Sequence, residues 1–153
     1  MIKAILACDD DWGIGKDGDL PWPHNPADIK WFKESTMGGV IVMGKTTWDS
    51  LPIQPLPGRK NIVVTSREAP KADIVVGIES VKDLLPTMEN VWIVGGAKLI
   101  EGLLSIIDEL HLSRIRGKYD CDTFLPVSLI EENYSLIKSG LQDEVYIDIW
   151  SKI

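Results

Sequence analysis

The stretch Asn90-Val91-Trp92-Ile93-Val94-Gly95-Gly96-Ala97 decides the fold class. Val91 to Val94 are apolar without the alternation of a half-solvated strand, so they read as a strand covered on both faces. Gly95-Gly96 ends it abruptly, and residues 97–105 have helical character. A buried strand that passes into a helix is the repeating unit of a parallel α/β sheet. Similar apolar runs lie at 2–8, 40–43, 61–65 and 73–76, and a short helix begins at Gly44-Lys45-Thr46. Pro26 suits a first helical turn and opens a helix to about Thr36, which Gly38-Gly39 ends. A helix over 81–88 should be cut short by Pro86. Residues 9–19 are polar, contain Gly13, Gly15 and Gly18, and read as a mobile loop.

The pattern changes in the last third of the chain. Residues 109–115, 134–138 and 145–150 alternate with period two, the mark of a strand with one solvated face. The last two, separated by Ser139-Gly140, read as an antiparallel pair. The expectation is one α/β domain over 1–153, mostly parallel, ending in an antiparallel hairpin.

Composition narrows the function. The chain has 153 residues, 44% hydrophobic and 25% charged, which suits one soluble domain with a substantial core. A net charge of -7 speaks against nucleic acid or an anionic membrane as the main partner. No apolar run has the length of a membrane span. Cys8 and Cys121, placed in different expected strands, make no disulfide framework, and a cytoplasmic setting is the default. His24 and His111 lack the neighbouring Cys or carboxylate spacing of a zinc site, so no metal is expected.

Three groups of residues carry possible chemistry. In Leu20-Pro21-Trp22-Pro23-His24-Asn25-Pro26-Ala27-Asp28-Ile29-Lys30-Trp31-Phe32-Lys33, a proline-stiffened loop enters a helix with Asp28 in its first turn. Phe32 follows at i+4 on the same helix face, and an acid beside an aromatic suits a flat, basic, nitrogen-rich ring. The plainer alternative is that an early Asp complements the helix dipole and Phe32 is core. Next, Lys45-Thr46-Thr47, Ser66-Arg67 and Lys98 each follow an expected strand. If those strands are parallel neighbours, the groups share one rim and suit a phosphate monoester. Singly, each is an ordinary surface cation. Last, Leu56-Pro57-Gly58-Arg59-Lys60 is a stiff turn that aims Arg59 at a fixed place, as carboxylate recognition requires, although a solvated cation is the commoner case. Gly95-Gly96 is not a dinucleotide-binding G-x-G-x-x-G motif, and taken alone it reads as a tight turn.

Together these pieces resemble the dihydrofolate reductase family over nearly the whole chain. The resemblance is carried by Gly13-Ile14-Gly15, Leu20-Pro21-Trp22 with Asp28 and Phe32, and Met43-Gly44-Lys45-Thr46-Thr47-Trp48. It continues through Leu56-Pro57-Gly58-Arg59-Lys60-Asn61, Val94-Gly95-Gly96-Ala97 and Asp122-Thr123. It implies an eight-stranded, mostly parallel sheet with four flanking helices. It also implies reduction of 7,8-dihydrofolate to tetrahydrofolate by NADPH, in support of one-carbon metabolism and thymidylate synthesis.

By the same resemblance, Asp28 would pair with the pterin 2-amino group and N3, and Ser113 would hydrogen-bond that acid. Ile5, Ala7, Phe32, Leu51, Leu56 and Val94 would line the ring slot, and Arg59 would bind the glutamate carboxylate. Leu20 and Trp22 would belong to the loop that closes over the nicotinamide. Ala7, Ile14, Gly15, Gly18, Thr46, Thr47, Gly95, Gly96, Ala97, Lys98 and Leu99 would meet the cofactor. Thr65 would also meet the cofactor, and Lys45, Ser66 and Arg67 would lie near its 2′-phosphate, which favours NADPH over NADH. A monomer is the default.

The chain departs from the family pattern at Ile100, where many members carry an aromatic hydroxyl, and at Leu125, which replaces an aromatic. The spacing from Trp22 to Asp28 is one residue longer than in many bacterial relatives. Two other functions fit the same scaffold: a pyrimidine reductase of riboflavin biosynthesis, and a non-catalytic folate-binding or structural protein. Asp28, Phe32 and Arg59 together favour the folate reading, because they supply anchors for both ends of the substrate.

Overall fold

The computed structural model describes residues 1–16, 20–23 and 25–153. Its strands are β1 (Ile2–Cys8), β2 (Gly13–Gly15), β3 (Val40–Gly44), β4 (Lys60–Val64), β5 (Ile74–Val76), β6 (Val91–Gly95), β7 (Glu109–Arg114), β8 (Thr123–Phe124), β9 (Tyr134–Gln142) and β10 (Val145–Lys152). Its helices are α1 (Pro26–Thr36), α2 (Lys45–Ser50), α3 (Ile78–Leu84), α4 (Ala97–Leu103) and α5 (Val127–Asn133).

Eight strands form one sheet in the order β5-β4-β3-β6-β1-β7-β10-β9. The pairs from β5 to β7 are all parallel, and β10 runs antiparallel to β7 and β9. The nearly continuous apolar run of β1, interrupted only by Lys3, is explained by its central place between β6 and β7. Its even-numbered residues Ile2, Ala4 and Cys8 face a core shared with Val81 of α3, Ile100 of α4 and Ile130 of α5. Ile5 points the other way, into a second core with Trp31 of α1 and Trp48 of α2. Two helices therefore cover one face of the sheet and three the other.

The sequence reading and the structure part at four places. The resemblance implied four helices, and five are present among the described residues. The additional short one, α5, buries only Ile130, so it has no apolar periodicity to read. Residues 9–19 do not form loop throughout, because Gly13–Gly15 pairs antiparallel with Thr123–Phe124. Cys121 precedes β8 and lies outside any strand, while Cys8 is in β1, and both are free thiols. Ser139 and Gly140 lie inside β9, and the hairpin turns instead at Asp143-Glu144. Pro86 acts as expected: α3 stops at Leu84, and a single 3-10 turn, Leu85–Thr87, carries the proline.

The hairpin turn sets up a stability test. Asp143 (φ 48°) and Glu144 (φ 72°) both sit in the left-handed region, as a two-residue type I′ turn demands. An L-residue with a Cβ pays about 1–2 kcal/mol there, partly offset by the greater chain entropy glycine loses on folding. Glu144→Gly should therefore stabilise the fold by roughly 0.5–1 kcal/mol, a rise in Tm of about 2 °C for a domain of this size. A thermal melt with Tm unchanged or lowered would refute this account of the turn.

Candidate active site

Helix α1 begins with a cap that the sequence reading passed over. Asn25 Oδ1 accepts the Asp28 backbone N–H at 3.1 Å, and Pro26 occupies the first turn. The cap fixes where the first turn starts, and so where the Asp28 side chain leaves the helix. Ser113 Oγ, on β7, donates to Asp28 Oδ1. Ser113 lies opposite Ala7 of β1 and Ile147 of β10, so the acid is tied to the middle of the sheet. Burial pushes the Asp28 carboxyl above its usual value, and the Ser113 hydrogen bond opposes that rise without cancelling it.

The expected ring-slot residues fall on one face. Ile5 is part of the core under α1 and α2, and Phe32, Leu51, Leu56 and Val94 pack against it half-buried. Val94 is the extra residue of an irregularity in β6: Met43 of β3 pairs with Gly95 where regular register would offer Val94. Ala7 is half-buried on the same face of β1 as Ile5.

Arg59 is held at the far end of α1. Its Nη1 donates to Thr36 Oγ1 at 3.2 Å and its Nε to the Pro57 carbonyl at 3.0 Å. The preceding turn is pinned by buried Asn61, whose Oδ1 accepts from Leu56 N–H and whose Nδ2 donates to the Leu56 and Arg59 carbonyls. Thr36 follows Asp28 by eight positions in α1, which at 1.5 Å per residue separates them by about 12 Å of helix. A carboxylate and a guanidinium thus stand at opposite ends of one half-buried apolar wall.

The cation rim exists as geometry. Strands β4, β3 and β6 are adjacent and parallel. Thr65-Ser66-Arg67, Lys45-Thr46-Thr47 and Ala97-Lys98 therefore all leave the carboxyl edge of the sheet. Arg67, Ser66, Thr46 and Lys98 are exposed, whereas Lys45 Nζ is already paired with Asp49 Oδ1 at 2.8 Å. The Gly95–Gly96 peptide is cis, and Gly95 has φ +125°. A Cβ on Gly95 would lie 3.9 Å from Thr47 Oγ1, while one on Gly96 would meet nothing within 4 Å. The ends of β3 and β6 thus close on each other and leave open backbone at Gly96.

Other expected site residues lie less directly. Leu99 turns its side chain into the core on the opposite face, as Ile100 does, so only its backbone faces the rim. Ile14 also packs toward that core, and Gly15 accepts the Asp122 N–H at 3.0 Å. Leu20 is exposed, and Trp22 is buried against the ring of Tyr119. Gly18 and His24 lie outside the described residues. Leu125 is buried in the core, where it serves packing. No group of His, Cys, Asp and Glu that could hold a metal occurs among the described residues. Thr36, Asn61 and Tyr119 were missed: Thr36 and Tyr119 act through partners distant in sequence, Asn61 acts through Leu56 and Arg59 close by, and the Asn25-Pro26 dipeptide carried the signal of a helix cap.

The family model for dihydrofolate reductase matches residues 1–145. The chain belongs to the dihydrofolate reductase family. Among its relatives, a dihydrofolate reductase of Bacillus subtilis (strain 168) is 39% identical over 151 residues, covering 94% of this chain and 87% of that one. Another, from Neisseria gonorrhoeae, is 34% identical over 128 residues, covering 82% of this chain and 78% of its own. A dihydrofolate reductase from Enterococcus faecalis, solved in complex with NADP(H), superposes with a TM-score of 0.82 at 28% identity. It covers 99% of this chain and 96% of that one. Dihydrofolate reductase membership sets the two other functions considered for the scaffold behind the reductase reading.

The Asp28 environment has a consequence for stability. A carboxyl whose folded pKa is raised contributes stability when protonated, and that contribution is lost as pH rises from its ordinary value, 3.8, through the folded value. At neutral pH the folded state therefore holds this charge at a cost. Asp28→Asn should raise Tm at pH 7, with the gain shrinking toward zero as pH falls to 3.8, followed by thermal melts across pH. A lower Tm at neutral pH would overturn the account.

Proposed function

We propose that the chain reduces 7,8-dihydrofolate to 5,6,7,8-tetrahydrofolate with NADPH, and that Asp28 and Arg59 hold the two ends of the substrate. The observation that carries this reading is the arrangement along α1, with Asp28 tied to Ser113 in the first turn and Arg59 tied to Thr36 in the last. A pterin presents donors from its 2-amino group and N3 to a carboxylate, and the substrate's glutamate presents a carboxylate to a guanidinium. The apolar wall of Ile5, Ala7, Phe32, Leu51, Leu56 and Val94 takes the rings between them and keeps water from the faces to be joined.

The residues present fit the cofactor. Open backbone at Gly96, beside Gly95 and Thr47, lets a pyrophosphate approach where a side chain would block it. Arg67, Ser66 and Thr65 at the end of β4 suit the 2′-phosphate, and Lys45 adds positive charge already shared with Asp49. Thr46, Ala97, Lys98, Ile14 and Gly15 complete the cofactor side, with Gly18 and Leu99 contributing by position in the chain. When bound, NADPH supplies the hydride that ends on C6 of the dihydropterin.

Asp28 binds and polarises the pterin in its ionised form, and water delivers the proton to N5. Ser113 keeps the carboxylate aimed at the slot. Leu20 and Trp22 cover the nicotinamide, and alignment of the two rings lowers the barrier by proximity. The chain works as a single domain over 1–153, as a cytoplasmic monomer on a small-molecule substrate. Its acidic balance turns away nucleic acid, and no helix among the described residues is long and apolar enough to cross a membrane.

Loss of NADPH absorbance in the presence of dihydrofolate tests the reading directly. Asp28→Asn should lower kcat/KM at neutral pH by about 100-fold or more, and near-normal turnover would sink the assignment. Arg67→Ala should raise KM for NADPH about tenfold, the worth of one charge-assisted hydrogen bond, while KM for NADH stays near that of the unaltered chain. Equal effects on both cofactors would remove Arg67 from the 2′-phosphate site.

A further inference from the structure

Lys45 and Asp49 stand four positions apart on α2, with Lys45 Nζ 2.8 Å from Asp49 Oδ1. Most such pairs on a helix surface are loose and contribute little. Lys30 and Glu34 of α1 are of that kind, 3.8 Å apart with both side chains well exposed. The α2 pair is different. The Lys45 side chain is only 20% exposed, so its ammonium is held in one place, while Asp49 at 54% stays open to solvent.

Helix energetics do not account for this arrangement. The favourable order sets the acid four residues before the base, and here the base comes first. Lys45 also occupies the first turn, where the helix dipole favours an acid, and Asp49 the last, where it favours a base. Each charge stands at the end of α2 that suits the other. The place of the pair in the fold is more telling. Lys45 directly follows β3, which lies between β4 and β6, the strands that lead to Ser66-Arg67 and to Lys98. Among the described residues Arg67 and Lys98 have no ion-pair partner, so of these three cations Lys45 alone comes with an acid attached.

We propose that Asp49 is a specificity-determining residue for the cofactor: it competes with the 2′-phosphate for Lys45 and so limits how strongly the chain prefers NADPH to NADH. This rests on the placing of Lys45, Ser66 and Arg67 at the 2′-phosphate under the proposed function. A phosphate oxygen that accepts from Lys45 at ordinary hydrogen-bond length comes within about 6 Å of the Asp49 carboxylate. At that distance, on a surface screened by salt, a phosphate dianion and a carboxylate repel enough to weaken binding roughly threefold to tenfold. NADH has no 2′-phosphate and is not subject to that repulsion.

Asp49→Asn tests this with the local geometry kept, because the amide oxygen still accepts from Lys45 while the charge is gone. Calorimetry with 2′,5′-ADP and with 5′-AMP reads the 2′-phosphate by itself, without turnover. The variant should bind 2′,5′-ADP roughly threefold to tenfold more tightly than the unaltered chain does, with 5′-AMP within about twofold. Kd for NADPH should fall by the same factor while Kd for NADH holds. The gain should shrink as salt is raised to about 0.5 M, since the repulsion is screened. Asp49→Ala removes the acceptor as well as the charge, and it should show the same tightening. If Asp49 served instead to aim Lys45 at the phosphate, Asp49→Ala would bind 2′,5′-ADP more weakly. Weaker binding, unchanged binding, or an equal gain for 5′-AMP overturns the inference and leaves the proposed function standing. If the unaltered chain binds 2′,5′-ADP no more tightly than 5′-AMP, the proposed 2′-phosphate site falls and this inference with it.

Discussion

A carboxylate drawn half out of water on an apolar wall needs a donor, and Asp28 finds one in Ser113. That hydrogen bond crosses from helix to sheet and requires several other features to be in place. The Asn25 cap must set the first turn of α1, β7 must lie beside β1 in parallel, and α1 must lie across that part of the sheet. The order β6-β1-β7 supplies the second condition, and the Ile5 and Trp31 core supplies the third. The rest of the slot is built outward from this point.

The two halves of the site follow different physical rules. The substrate half is a helix edge facing a sheet, where position comes from packing and from polar groups fixed at each end of α1. The proposed cofactor half is a row of strand ends, where position comes from parallel register and from open glycine backbone at Gly96. The proposed cofactor site of an acidic chain draws on cations gathered on that edge, at the ends of three neighbouring parallel strands. Both halves meet at Val94 and Gly95, where the irregularity of β6 changes which residues face the slot.

How much of this was legible in the sequence follows from the range over which each signal acts. The buried strands are written as local apolar patterns and α1 as a proline at its start and a glycine pair after its end, and all were read. The neighbourhood of Lys45, Ser66 and Lys98 could be inferred conditionally, because parallel neighbours place their carboxyl ends together. The pairing of β2 with β8, three and two residues long, leaves no pattern, and α5 buries one residue. The turn before Arg59 was read as stiff from Pro57-Gly58, but the Thr36 contact that holds the guanidinium crosses folded chain, and the Asn61 bonds that pin the turn, though local, were not read. The resemblance supplied roles; it did not supply those supports.

Asp9 and Asp28 show how burial alone fails to mark a site. Both carboxylates are taken from water, and burial pushes both upward, yet the outcomes are opposite. Asp9 receives four hydrogen bonds and falls below the ordinary value, whereas Asp28 receives one among the described residues, from Ser113, and stays above it. A carboxylate with its acceptor capacity filled is committed to the fold, and a ligand has nothing to gain from it. One that keeps an oxygen in hand, at a cost in stability, has interaction energy reserved for a partner. The difference between the two acids therefore lies in how far their hydrogen bonding is filled, and it sets Asp9 among the groups committed to the fold and supports Asp28 as the acid proposed to hold substrate.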